Sequence, residues 1–216
     1  MSNLLKRVIV ALILIGIACI AGACEHFGFN AVRYLGIFVV FAMIFEFVRC
    51  LLKTKSSIFV RDFNWIKFAI FLAWLVMMIF AVNIVGQRPW IILLLLVIIC
   101  SADIGAWAFG QMVGGDKMWE KISAKKTWTG QIAGIVCGTL ASIMYGLIGA
   151  GSFMPQLLWI GISVSLLSQY GDLTASWIKR KLGIKDFGTI LPGHGGVLDR
   201  FDGWIYALPL IWLVML

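Results

Sequence analysis

Apolar runs about as long as a bilayer is thick recur along this chain. A transmembrane helix needs about 20 consecutive, mainly apolar residues. Seven stretches approach or meet this requirement, at about 8–24, 33–52, 65–85, 89–113, 130–149, 155–178 and 201–216. Only 13% of the residues are charged, whereas about a quarter are charged in a soluble domain. The sequence therefore predicts an all-α fold, a polytopic transmembrane helical bundle of about seven spans.

The basic residues are distributed unevenly between the polar segments that join these spans. Of the 18 Lys and Arg residues, all but Arg33 and Arg88 fall on one predicted side. Because Lys and Arg are enriched in cytoplasmic loops, that side is predicted to be the cytoplasm, in a protein integral to the cell (inner) membrane. We expect a single membrane domain, residues 1–216, with a cytoplasmic N-terminus and cytoplasmic catalytic loops at about 114–129 and 179–200.

Charge, cysteine content and the N-terminal segment argue against other classes of protein. The net charge of +8 is expected to set topology and to meet anionic headgroups, so no nucleic-acid partner is predicted. The five cysteines form no CxxC or Cys/His cluster, which argues against a zinc site and a disulfide framework. The first span is expected to be a retained anchor, because Glu25-His26-Phe27 makes a poor signal-peptide cleavage site.

Two acids lie near the same predicted end of their spans, Asp103 in the fourth and Asp172 in the sixth. Ionisable residues inside a membrane span are costly and indicate function by default. On a helix, Asp172 shares a face with Ser176 and Lys179, so a polar stripe leads into the second long loop. The alternative is an acid that pairs with a neighbouring Lys or Arg for structure only.

Asp199 and Asp202 flank Arg200 at the start of the last span. Their spacing of three residues would place both carboxylates on one helical face. Two such carboxylates repel each other unless a cation lies between them, and Mg²⁺ is commonly held by one or two carboxylates plus substrate phosphates. Stabilisation of the helix N-terminus explains one of these acids equally well, but both less easily.

Two further segments carry residue types that suit phosphate binding. Pro192-Gly193-His194-Gly195-Gly196 has almost no side-chain bulk, so its backbone amides can approach a phosphate closely. His194 is either a general base or a hydrogen-bonding loop residue. In the other loop, Ser123, Lys125, Lys126 and Thr127 offer two ammonium groups and two hydroxyls, although an interfacial Lys/Trp anchor is the alternative.

Together these residues resemble the signature of the phosphatidate cytidylyltransferase (CDP-diacylglycerol synthase) family. The matching positions are Ser176-x-x-Lys179-Arg180, Lys185-Asp186-x-Gly188 and Pro192-Gly193-His194-Gly195-Gly196-x-x-Asp199-Arg200-x-Asp202. Two upstream blocks are similar to the same family, namely Asp103-x-Gly105-Ala106-Trp107 and Ile122-Ser123-x-Lys125-Lys126-Thr127-Trp128. The resemblance is dense over roughly the C-terminal half of the chain and limited to hydropathy in the first three spans.

The resemblance implies a membrane enzyme that transfers a cytidylyl group from CTP to phosphatidic acid and requires Mg²⁺. The resemblance is also compatible with K⁺ as a second cofactor beside the Mg²⁺ and with assembly as a homodimer. Lys125, Lys126, Lys179, Arg180, His194 and Arg200 are then the expected catalytic residues. The expected cofactor-binding residues are Ser123, Thr127, Ser176, Gly195 and Gly196. The expected metal ligands are Asp172, Asp199, Asp202 and Asp103.

The chain departs from the usual family pattern at Gln111, Ala124, Thr129 and Ala175. Members of the family often carry Arg, Pro, Glu and Glu at these respective positions. Two other functions remain open: a CTP-dependent polyprenol or phytol-type lipid kinase, and an ion transporter that uses Asp103 and Asp172. The signature disfavours the kinase, and the absence of further acids toward the far side of the spans disfavours the transporter.

Overall fold

The structure is a computed structural model that describes residues 3–53, 65–120, 122–191 and 195–215. Within these ranges the chain forms seven helices and one two-stranded hairpin. In chain order, the elements are α1 (Asn3–His26), α2 (Ala31–Lys53), α3 (Trp65–Val85), α4 (Pro89–Met112), β1 (Lys117–Trp119), β2 (Ser123–Thr127), α5 (Trp128–Ala150), α6 (Pro155–Lys181) and α7 (Trp204–Met215).

The helices confirm the prediction of an all-α, polytopic membrane fold. Among the described residues, four segments are long and apolar enough to cross a membrane: Ala31–Lys53, Phe68–Val85, Pro89–Met112 and Trp128–Gly149. Each falls within or overlaps a predicted span. Because apolar spans of this length are stable in hydrocarbon when their backbone hydrogen bonds are internal, the chain is an integral membrane protein.

The described residues fall into two compact units. The first contains α1, α2, α3 and the segment Ile178–Asp202. Within it, α2 packs against α1 and α3, and its Phe47 is fully buried. The Phe47 ring stacks on Phe68 at 6.1 Å between centroids and meets Phe71 and Phe187 edge-on at 4.9 and 6.2 Å. This aromatic group joins α2 and α3 to the segment that follows α6.

The second unit contains the hairpin, α5, α7 and most of α4 and α6. Small residues let its helices approach closely, as is typical of membrane helix interfaces. A Cβ added at Gly105 of α4 would lie 2.6 Å from Cys137 Sγ of α5. A Cβ at Gly161 of α6 would lie 2.8 Å from the Cα of Thr139 on α5. Neither contact has room for a larger residue without movement of the helices.

The first long polar loop contains a β-hairpin that the sequence pattern did not indicate. β1 and β2 pair antiparallel, with Lys117 opposite Thr127. Thr127 then caps α5, because its side-chain oxygen accepts a hydrogen bond from the backbone N–H of Gly130 at 3.1 Å. Gly151 closes the same helix with φ of 67° and an N–H bonded to the carbonyl of Leu147. The hairpin is therefore tied directly to the start of α5.

Candidate active site

A cluster of two carboxylates and a lysine lies in the second unit. Lys126 Nζ on β2 lies 2.7 Å from Asp172 Oδ2 on α6, and the Ser176 hydroxyl donates to Asp172 Oδ1 at 3.3 Å. Asp103 on α4 interacts electrostatically with both partners, attractively with Lys126 and repulsively with Asp172. The structure thus brings together two predicted metal ligands, one predicted catalytic lysine and one predicted cofactor-binding serine.

The hairpin gives its two lysines different surroundings. Successive side chains of a strand point to opposite faces, and Lys126 is half-buried at its ion pair whereas Lys125 is exposed. Thr127 is buried as the cap of α5, and Ser123 is half-buried at the start of β2. The hairpin therefore fixes the position of Lys126 through strand pairing and the helix cap. The ligand-binding roles of the four residues stay predictions.

A second charged group lies in the first unit and is centred on Asp199. Its Oδ1 accepts a bond from Lys179 Nζ at 2.8 Å. Its Oδ2 accepts the backbone N–H groups of Phe187 at 2.9 Å and of Gly196 at 3.0 Å. The Asp199 and Lys179 side chains are only 4% and 11% exposed, and Lys179 Nζ also lies 5.5 Å from the centroid of the Phe187 ring. Asp199 therefore organises the segment that follows α6.

The expectation that Asp199 and Asp202 share a helical face is wrong. The last helix begins at Trp204, and both acids precede it in a turn. In this turn the N–H groups of Arg200 and the next residue both bond to the carbonyl of Val197. The spacing of three residues therefore does not describe a helical face here, and the Asp199 carboxylate instead accepts the backbone N–H groups of Phe187 and Gly196.

The described glycines of the Gly-rich loop have distinct backbone roles. Gly195 has φ of 85°, a left-handed conformation that L side chains rarely adopt, and its carbonyl accepts the N–H of Leu191 at 3.0 Å. The Gly196 N–H donates to Asp199. His194 lies outside the described residues. The roles of Gly195, Gly196 and His194 in ligand binding stay predictions.

The two predicted catalytic arginines belong to the first unit and are exposed. Arg180 lies in the last turn of α6 and lines an open cavity of about 470 Å³ together with Gly183, Ile184 and Lys185. Arg200 lies in the turn before α7. Both residues are exposed, and their roles in phosphate binding stay predictions.

Glu46 was not predicted as a site residue, but the structure places it against the signature segment within the first unit. Glu46 lies on α2 and is 2% exposed, and its Oε2 accepts the backbone N–H of Leu198 at 2.9 Å. The available signal was an acid inside an apolar span. It was overlooked because Glu46 is 152 residues away from Leu198 in the sequence.

The donor chemistry of these groups fits a magnesium ion. Mg²⁺ takes hard oxygen ligands and keeps several waters, so one or two carboxylates plus substrate phosphates suffice. Asp103 and Asp172 supply carboxylates that repel each other; Lys126 offsets part of this repulsion, and a bound cation would relieve more of it. The Asp199 carboxylate has about one lone pair left for a metal ion, because three donors already bond to its oxygens. Within the described ranges, no group of three or more His, Cys, Asp or Glu side chains converges.

Two departures from the family pattern have structural roles here. The Thr129 hydroxyl donates to the carbonyl of Gly114 and so links α5 to the loop before the hairpin. Ala175 is fully buried on α6, where a larger acidic side chain would need space that the packing does not provide. Both residues serve the local packing of the second unit.

The chain matches a known protein family over nearly its whole length. The model of the family described as "Cytidylyltransferase family" matches residues 2–216. Proteins named phosphatidate cytidylyltransferase from Staphylococcus saprophyticus, Staphylococcus haemolyticus and Staphylococcus aureus are 39%, 40% and 40% identical to the chain over 126 residues. The matched segment is 58% of this chain and 48% of each relative, so the chain spans about half the length of the curated relatives it matches.

Proposed function

Because the chain belongs to the cytidylyltransferase family, we propose that it transfers the cytidylyl group of CTP to phosphatidic acid. The products are CDP-diacylglycerol and pyrophosphate, and the activity belongs to phospholipid biosynthesis. The observation that carries the proposal is the 40% identity over 126 residues to bacterial proteins named phosphatidate cytidylyltransferase. The residues that the family signature selects also form two organised polar clusters in a chain that is otherwise largely apolar.

The reaction is a displacement at phosphorus between two anions. A phosphate oxygen of phosphatidic acid forms a bond to the α-phosphorus of CTP, and the bond from that phosphorus to the β-phosphate oxygen breaks. The electron pair leaves with pyrophosphate. No proton has to move in this step, because the phosphatidate oxygen is already ionised at neutral pH. A general base is therefore not required. For His194 we accordingly favour a hydrogen bond to a substrate phosphate over proton transfer.

The principal barrier that the protein must lower is electrostatic repulsion between the reactants. Lys126 and Lys179 are held in place by Asp172 and Asp199, at 2.7 and 2.8 Å, so they are preorganised before a substrate arrives. Preorganised charge of this kind supplies about 2–4 kcal/mol of transition-state stabilisation per group, by analogy with oxyanion-hole donors. Lys125, Arg180 and Arg200 would add positive charge, and Ser123, Thr127, Ser176, Gly195 and Gly196 would contribute hydrogen bonds.

Magnesium is part of the proposal, with Asp103, Asp172, Asp199 and Asp202 as its candidate ligands. When bound, Mg²⁺ would neutralise phosphate charge and stabilise the departing pyrophosphate. The carboxylates of Asp103 and Asp172 support this assignment through their mutual repulsion, and Asp199 through its remaining lone pair. A role for K⁺ and assembly as a homodimer stay predictions, which potassium titration and the mass of the detergent-solubilised protein would test.

We place the N-terminus and both polar segments, 114–129 and 179–200, in the cytoplasm of the cell. CTP is supplied from the cytoplasm, whereas the acyl chains of phosphatidic acid stay in the bilayer. The distribution of Lys and Arg supports this orientation. A Glu120→Cys substitution in a variant without the five native cysteines gives the test. In intact cells the new thiol should not react with a membrane-impermeant thiol reagent. It should react once the cell membrane has been permeabilised and the reagent reaches the cytoplasm.

A product assay tests the proposed reaction. The purified protein in detergent is incubated with CTP, phosphatidic acid and Mg²⁺, and pyrophosphate and CDP-diacylglycerol are quantified together. Equal amounts of both, dependent on Mg²⁺, are expected. CDP without pyrophosphate would instead identify a lipid kinase. Ion uptake into liposomes by a folded protein without nucleotide turnover would identify a transporter.

A further inference from the structure

We propose that Glu46 is a positioning residue, which holds Leu198 and thereby the neighbouring Asp199 in place for the reaction. This inference rests on the proposed function for its kinetic consequences, but its geometry stands independently. Glu46 lies on α2, far in sequence from the family signature, and the motif that selected the other site residues does not include it.

The position of the Glu46 carboxylate is fixed by its contacts within the first unit. The side chain is 2% exposed, and Oε2 accepts the backbone N–H of Leu198 at 2.9 Å. Among the described residues, Oε1 has no hydrogen-bond partner. A buried acid without a full set of partners costs free energy, most of all inside a membrane span. An apolar residue would fill the same volume at lower cost, so packing alone does not account for Glu46.

Two glycines of the signature segment make room for this carboxylate. A Cβ added at Gly188 would lie 2.2 Å from Glu46 Oε1, and one added at Gly196 would lie 2.4 Å from Oε2. Both distances are far below any real contact of a Cβ atom. The carboxylate cannot move away easily, because it lies against both glycines and is bonded to Leu198. Glycine is therefore needed at positions 188 and 196 because a Cβ there would clash with the Glu46 carboxylate, and not because the backbone adopts a conformation that only glycine tolerates.

Glu46 and Asp199 bind the same short stretch of backbone. The Gly196 N–H donates to Asp199 Oδ2, and the Leu198 N–H donates to Glu46 Oε2. Asp199 in turn holds Lys179, which the proposed reaction uses to neutralise phosphate charge. Loss of the Glu46 bond should therefore shift Asp199 and Lys179 together. A misplacement of about 1 Å can reduce turnover by about a hundredfold.

The experiment compares Glu46→Ala with Glu46→Gln. Glutamine keeps an oxygen that can accept the Leu198 N–H, whereas alanine does not. For Glu46→Ala we expect kcat to fall about tenfold or more with KM for CTP changed by less than about threefold, because positioning and not binding is lost. We expect Glu46→Gln to retain kcat within about threefold of the wild type. If Glu46→Ala cannot be purified folded, Glu46→Asp, one methylene shorter, replaces it with the same expected loss.

Amide hydrogen exchange gives a readout that does not depend on turnover. Peptides that contain Leu198 should exchange faster in Glu46→Ala but not in Glu46→Gln. Unchanged exchange in Glu46→Ala, or equal kinetic damage in both variants, would overturn the inference. If the wild-type protein makes no CDP-diacylglycerol, the proposed function fails, and the exchange data still decide whether Glu46 holds this segment.

A double-variant test connects the glycine to the acid. Gly188→Ala should impair kcat through its clash with Glu46, and adding it to Glu46→Ala should cause little further loss because the clash is gone. Multiplicative losses would contradict the contact. Gly149→Ala is the matched control, since a Cβ at Gly149 meets nothing within 4 Å.

Discussion

Replacement of Lys126 by alanine should separate catalysis from stability. The Lys126 and Asp172 side chains are 25% and 37% exposed, so their ion pair is only partly desolvated. Pairs of this kind contribute about 0–1 kcal/mol to stability. The same ammonium group, if it neutralises a phosphate in the transition state, should contribute about 2–4 kcal/mol to the barrier. Lys126→Ala should therefore lower turnover by about 10²–10³ and leave the unfolding free energy almost unchanged.

Two measurements on the same preparation test this prediction. Turnover is followed as pyrophosphate release, and stability is followed as denaturant unfolding in detergent. Lys117→Ala is the control, because Lys117 is an exposed lysine on the partner strand of the same hairpin. Turnover of Lys126→Ala within about threefold of the wild type would refute a catalytic role for Lys126. A loss of more than about 3 kcal/mol in unfolding free energy would instead show that its ion pair with Asp172 is structural.

Three further substitutions have expected outcomes. Asp199→Ala leaves Lys179, which is 11% exposed, without its partner. The unfolding free energy measured in denaturant should therefore fall by about 3–5 kcal/mol, and turnover should be lost. Unchanged stability would contradict the importance of this ion pair. Gly105→Ala brings a methyl group to 2.6 Å from Cys137 Sγ and should lower the thermal unfolding midpoint, whereas Gly149→Ala should not; equal midpoints would argue against the close helix contact. Thr127→Ala removes the cap of α5 and should cost about 1 kcal/mol of unfolding free energy; no loss would show that the cap is dispensable.

Most of the fold could be predicted because membrane helices follow directly from apolar length. The described α4 extends over Pro89–Met112, where the sequence indicated a span at about 89–113. The hairpin at Lys117–Thr127 was missed because it is held by strand pairing and by the cap of α5, not by a hydrophobic pattern. The single integral membrane domain stays a prediction.

The site was predictable where its residues are close in sequence or marked by chemistry. Asp172 and Ser176 are one helical turn apart, and the structure pairs them as the spacing requires. The prediction that Asp199 and Asp202 share a helical face was wrong because α7 begins only at Trp204, and the spacing of two acids does not fix where a helix begins. Glu46 was missed because its contact to the signature segment depends on how α2 packs, which local spacing does not reveal.

The most direct test of the proposed reaction follows the phosphorus atoms of CTP. The wild-type protein is given phosphatidic acid, Mg²⁺ and CTP labelled either at the α-phosphate or at the γ-phosphate, and the label in the lipid fraction is measured. We predict that the α-label enters the lipid while the γ-label leaves as pyrophosphate. Transfer of the γ-label to lipid, or no label in lipid from a folded protein, would contradict cytidylyl transfer.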